Sequence, residues 1–568
     1  SPDSIRVKYV EPTSDGNNTT IKLINSRLGA SGDFDMGGAG QTLILDSTSE
    51  LDLYGNRLTN TTRIENDGYI QTMNGTIRES SYLWDNKTST GSSGVLGGCG
   101  YYEFGNVSSV ETSRDFGLIK SRGQITDLEI SGEYNVNGNS AKTLGDDSYI
   151  VGVNASEGSG GHSMTISGKL TVEAKQGTGI GILANQFGSD DASLKNDYSG
   201  EISVKAKDAL GIKLGTNAAK DPSAAGDIYS LSVGTLNVES TISSGSEQGS
   251  ATGIYAGSVK RGLSAESIAV KGYTEAAGIQ LIKGGSNLSI EDIKSSTGTG
   301  GTAAGIITGK SMSESILDIG DIENLYVGNM EVSSGLDSYG IKAKDILGTN
   351  KIGNISVSSD NGNATGISAN NVDFTLTGEI SAVGGGDVYG VRALEDIDIS
   401  FSDGSKISAS TIGTDGESFA IFSRDGDARL SFDGASEITG DIKAKNIDFV
   451  NAGGLVVNGN IEAEKISAGM AIDSVSGSIK FNEGEDIAIK TSLGSMEAGS
   501  LTGDADIAKN TGSVKIGNVK NLTLSNVAGG TSEIGNIENN LTANLEGGSL
   551  EVIKVAGTSE IGGSGGTV

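Results

Sequence analysis

Residues 304–311 read AGIITGKS, with the Gly-Lys-Ser ending of a phosphate-binding loop. Such a loop needs a helix directly after it, because amides at a helix start cradle the phosphate. Here the stretch falls where neighbouring repeats read GIYAGSV and GISANNV, so a turn of a β repeat is expected, without phosphate chemistry. GTGIG from Gly177 and GTGG from Gly298 are read as turns too, since no strand-helix-strand unit surrounds them. A serine or cysteine nucleophile needs a base beside it. The chain holds one histidine, His162 in SGGHSMT, and one cysteine, Cys99. We expect His162 in an exposed loop and Cys99 as a small buried residue. A single cysteine forbids an internal disulfide, and this pair excludes a Cys/His metal site of familiar spacing.

Carboxylates carry the strongest chemical signal. Glu395, Asp396, Asp398 and Asp403 are followed about one repeat later by Asp425, Asp427 and Asp433. Converging on one face, they would suit calcium or acid/base work on a sugar polymer. Asp396, Asp398, Asp403, Asp425 and Asp427 are therefore the calcium candidates, weighed against solvated acidic turns; no catalytic residue is assigned, and no cofactor apart from calcium. GGGDVYGV from Gly384 has part of a Gly-Gly-x-Gly-x-Asp calcium repeat, but it occurs once and out of phase. Sugar clefts are usually lined by Trp and Tyr, and aromatics are only 5% of the chain.

The elements that must position these groups are short and repeated. Val372, Phe374 and Leu376 alternate with Asp373, Thr375 and Thr377, the period of a strand with one buried face. Ile380 and Ala382 resume the alternation before Gly384, Gly385 and Gly386 turn the chain. The unit then restarts at Gly390. A small-Gly-Ile phrase recurs at Gly181, Gly211, Gly253, Gly278, Gly305, Gly340 and Gly366, becoming Gly-Val at Gly390 and Ala-Ile at Ala420, with a mean spacing of about 30 residues. A second phrase, Ile-Gly-Asn/Asp, recurs at Ile319, Ile352, Ile516 and Ile534. Three strands per unit with no room for a crossover helix predict an all-β chain, a right-handed parallel β-helix whose coils stack about 4.8 Å apart. The small-Gly-Ile step is expected at a corner.

Composition agrees. Eighty-eight glycines against three prolines suit many turns and few interruptions of backbone ladders. The formal net charge is −31 with no run of Lys or Arg, which disfavours nucleic acid and anionic membranes as partners. No apolar run approaches the 18 or so residues of a membrane-spanning helix. The start SPDSIRVKYV has no charged and apolar leader, which suggests a mature form with its signal peptide removed.

Three regions are expected. Residues 1–150 hold the only Trp, Trp84, and the cluster Tyr101, Tyr102 and Phe104, and are read as an N-terminal cap with the first coils. Residues 151–430 carry the Gly-Ile repeats, and residues 431–568 shorter, plainer coils such as GSVKIGNVKNLTLSNVAGG. Within the first region, LDLYGNRLTNTTRIENDGYIQTMNGTI, through Leu58, Asn60, Ile64, Asn66, Gly68, Ile70, Asn74 and Ile77, resembles the repeats of bacterial autotransporter and filamentous-haemagglutinin-like passengers. The resemblance is one of repeat style over most of the chain. It implies an extracellular or outer-surface location, a structural or adhesive role, and partners among copies of itself or a host or neighbouring-cell surface. It departs from that family where the chain stops at EIGGSGGTV without a translocator barrel, so either the barrel is removed or the export route differs. The alternative is an extracellular carbohydrate-active β-helix enzyme, a polysaccharide lyase or glycoside hydrolase.

Overall fold

The computed structural model describes residues 248–414, 416–467 and 469–568, and, before them, shorter stretches of which the longest are 18–29, 42–53, 124–137, 161–174, 177–190, 196–215 and 225–242. Strands dominate both compact units, Ser1–Glu314 and Ser315–Val568. Among the described residues there is no α-helix, only a one-turn 3-10 helix at Ile316–Asp318. Nearly every pairing is parallel and joins a strand to its counterpart one coil later, as a parallel β-helix requires.

In the second unit the coils between Ala364 and Thr439 have the three separate faces expected. The Gly-Ile strands Ser338–Lys342, Ala364–Ala369, Val388–Ala393 and Ser418–Ser423 stack with Ile341, Ile367, Val391 and Ile421 in one buried column. The second face stacks Asn371–Leu376 on Ile397–Phe401 and Ala428–Phe432, and the Phe401 and Phe432 rings lie 4.7 Å apart. The third stacks Glu379–Gly384 on Lys406–Thr411, with Ile380 over Ile407. Alternation sends Phe374, Leu376, Ile399 and Phe401 inward, where all are at most 2% exposed.

The Gly-Ile step is not a corner. It lies inside the strand: Gly366 is central to Ala364–Ala369. A Cβ there would stand 2.4 Å from the Gly390 carbonyl oxygen and 2.6 Å from Ile380 Cγ2, so the missing side chain lets this strand approach both the next coil and the opposite face. The Ile-Gly-Asn phrase has a related cause. A Cβ on Gly535 would stand 2.0 Å from the Gly517 oxygen, and one on Gly517 would stand 2.2 Å from that of Gly499.

Between Ile228 and Ser296 of the first unit two of the three faces merge. Ile228–Ser240, Val259–Lys271 and Gly284–Ser296 are continuous 13-residue strands, pairing with Leu236, Ile268 and Ile293 in register. Gly234 takes the bend within the first of them, where a Cβ would meet the Ser199 oxygen at 2.6 Å. Coil length also changes within the second unit. Ile341 to Ile367 spans 26 residues, whereas from Ile461 through Ile479, Met496 and Val514 to Ser532 each step is 17 or 18. Cys99 and Phe104 lie outside the described residues, and for Trp84, Tyr101 and Tyr102 only the backbone is described.

Candidate functional site

The acidic candidates are distributed over corners and faces. At the corner before the second face, Asp345 Oδ1 accepts the Asn371 backbone N–H at 3.0 Å and its side-chain amide at 2.8 Å. Asn371 Oδ1 accepts the Asp396 N–H at 3.2 Å, Asp396 Oδ1 accepts the Asp427 N–H at 2.9 Å, and Asp427 Oδ1 accepts from Asn446 Nδ2 at 2.7 Å. Asp396 and Asp427 are thus rungs of a ladder in which each side chain holds the next coil, Asp396 by its backbone and Asp427 by the Asn446 side chain. Asp403 does likewise for the Ala435 N–H at 2.9 Å. Asp425 pairs with its neighbour Arg424 at 2.7 Å, both side chains being exposed.

Asp398 points outward from the second face, stacked in register between Asp373 and Arg429. Burial, and then the Asp398 charge, raise the Asp373 pKa above the usual carboxylate value, the expected cost of like charges one coil apart. Arg429 relieves the column from the other side and lies 3.8 Å from Asp448. The five candidates therefore do not share one cation. Among the described residues no group of three or more His, Cys, Asp and Glu is arranged as a metal site. The Asp of GGGDVYGV, Asp387, belongs to another corner ladder, accepting the Glu417 N–H at 3.2 Å and donating its own to Asn363 at 2.8 Å.

AGIITGKS forms the end of strand Thr302–Thr308 and a turn at Gly309, whose φ is +105°. No α-helix follows. Gln280 Nε2 donates to the carbonyls of Gly309 (3.1 Å) and Lys310 (3.0 Å), and the Lys310 N–H donates to the Glu314 carboxylate at 2.6 Å. A loop already holding a carboxylate is a poor phosphate cradle.

His162 corrects an expectation. It is fully buried, bridged in parallel to Phe187, which in turn bridges to Ile228. The Ile125 N–H donates to Nδ1 at 3.0 Å, which places the ring proton on Nε2, and Asn196 donates to the His162 carbonyl at 2.9 Å. Burial holds the imidazole pKa below its usual value. The Gly and Ser around it read as a loop, but they are small enough for the coil interior to close over the ring.

A second correction concerns aromatic residues, which the register gathers on the outward side of the Gly-Ile strands. Tyr339, Thr365, Tyr389 and Phe419 form one column, and Lys342, Ser368, Arg392 and Phe422 the adjacent one. The Tyr389 and Phe419 rings stack at 5.9 Å and 11°, while Phe422 lies 5.5 Å from Tyr389 and 4.9 Å from Phe419. Lys342 Nζ sits 4.9 Å from the Tyr339 ring centre and the Arg392 guanidinium 5.2 Å from that of Tyr389. Tyr389, Arg392, Phe419 and Phe422 are partly exposed, yet Arg392 Nε is buried and lacks a hydrogen-bond partner. Burial raises the pKa of Tyr389, and Arg392 opposes the rise. The signal was present in the sequence as YGIK, YGVR and FAIF, outward positions flanking the Gly-Ile step.

No family model, curated protein or solved structure matches this chain.

Proposed function

We propose that the chain is an exported bacterial surface protein, a non-catalytic β-solenoid with a structural or adhesive role, in the manner of the autotransporter-like passengers that residues 51–77 resemble. The corner ladders carry this reading. The carboxylates of Asp396 and Asp427, of the type that would serve an acid/base centre, are spent on holding coil to coil, as amide side chains are from Asn521 through Asn540 to Thr558. The scarcity of cysteine and the wealth of Gly, Ser and Asn fit export from a bacterium. Brief protease treatment of intact source cells should release fragments of the chain. Recovery only after lysis would overturn the surface location.

Association between copies of the chain, which the resemblance also implies, is part of this proposed reading.

A further inference from the structure

We propose that Tyr389, Arg392, Phe419 and Phe422 form a binding platform for a carboxylate-bearing sugar, a uronic acid unit of an acidic polysaccharide. Three observations favour that ligand. The rings of Tyr389, Phe419 and Phe422, within 5.9 Å of one another, give an apolar surface of the size that a pyranose C–H face covers. Arg392, partly exposed beside these rings with its guanidinium 5.2 Å from the Tyr389 ring centre, is paired with no carboxylate among the described residues, so a ligand carboxylate gains charged hydrogen bonds from its Nη groups. Lys342, two coils from Arg392 in the same column on the Tyr339 side, adds positive potential.

The acidic neighbours do not cancel the site. Asp337 accepts the Asn363 N–H at 2.9 Å and Asp387 the Glu417 N–H at 3.2 Å, so both are turned to the corner ladder, and at Tyr389 the charge of Arg392 outweighs that of either Asp387 or Glu417. A peptide is the weaker occupant. Backbone groups of the Gly-Ile strands are already paired between coils and offer no main-chain partners, on which extended-peptide recognition depends. A sugar ring needs none. The proposal deepens the adhesive reading and rests on it for biological sense, while binding itself is measured separately.

Calorimetric titration of the whole chain with an oligogalacturonate tests it, with a neutral oligoglucan as control. The work belongs at about 0.15 M salt, where a Debye length of about 8 Å screens the repulsion from the acidic chain. Expected are binding of the oligouronate in preference to the glucan, loss of that preference in Arg392→Gln with affinity down at least about tenfold, and weaker binding of both sugars by Phe422→Ala. Circular dichroism must match the unaltered chain. No heat or shift at millimolar oligouronate overturns the proposal, as does binding that both variants retain. Oligouronate binding by a chain that never reaches the cell surface removes the adhesive reading and leaves the platform standing.

Discussion

Gly366 shows how much one hydrogen in place of a methyl group decides. Its ideal Cβ position is 2.4 Å from a backbone oxygen of the next coil, which cannot swing away as a side-chain tip would. Gly366→Ala should therefore cost about 1–3 kcal/mol, read as a lower denaturant midpoint, whereas substitution at Gly404, whose Cβ would meet nothing within 4 Å, suffers only the strain of its φ of +80°. His162 makes a prediction in pH. Its folded pKa is lowered by burial, so the unfolded chain takes up the proton first as pH falls. Stability should be level above pH 7, decline as pH drops below the unfolded value of about 6.5, and level off again below the folded one. His162→Gln, which cannot charge, should flatten that slope in urea midpoints measured from pH 8 to 5; an unchanged slope would assign it to other groups.

At the scale of strands and corners, the side-chain ladders are the devices that keep register. Asn540 accepts the Thr558 N–H at 3.2 Å and its hydroxyl at 2.7 Å while donating its own N–H to Asn521. Asn540→Ala should cost roughly 0.5–1.5 kcal/mol, the worth of such hydrogen bonds, and should raise amide exchange first at Thr558. Because Asp396 and Asp427 oxygens face N–H donors, added EDTA should leave the thermal midpoint unchanged; a drop reversed by calcium would show that the ladder yields to a cation. The strands themselves were legible where alternation was clean, as in Asn371–Leu376 and its restart at Ile397–Phe401. They were less so in Val259–Lys271, where Lys260, Arg261 and Gly262 interrupt the apolar alternation although the strand runs through them. The aromatic columns were hidden for a different reason. Tyr389 and Phe419 are 30 residues apart, and only the inter-coil register makes them neighbours. His162 failed because local composition speaks of chain flexibility and not of what stacks above and below.

For the molecule as a whole, both units are built by the same repetition and both use it in two ways, with merged strands such as Val259–Lys271 and Met470–Gly484 in some coils and separate short strands such as Asn371–Leu376 and Glu379–Gly384 in others. If copies associate as the proposed reading has it, sedimentation at increasing protein concentration should reveal larger species. A chain that stays monomeric throughout would end that part of the reading.

The contraction of the coils beyond Ile442 also bears on how the chain finds its structure. Bringing a strand onto its predecessor means closing a loop, and the entropy lost grows with the logarithm of its length. Closing 18 residues instead of 26 spares roughly 0.3 kcal/mol per coil, and from Ile461 to Leu550 that advantage recurs at every step. In an array where order spreads from neighbour to neighbour, the first stable pair arises where closure is least costly and the rest is templated on it. The 18-residue coils are thus the natural nucleus of the second unit. Pulse-labelled hydrogen exchange during refolding would see their amides protected before those of the coils around Ile367.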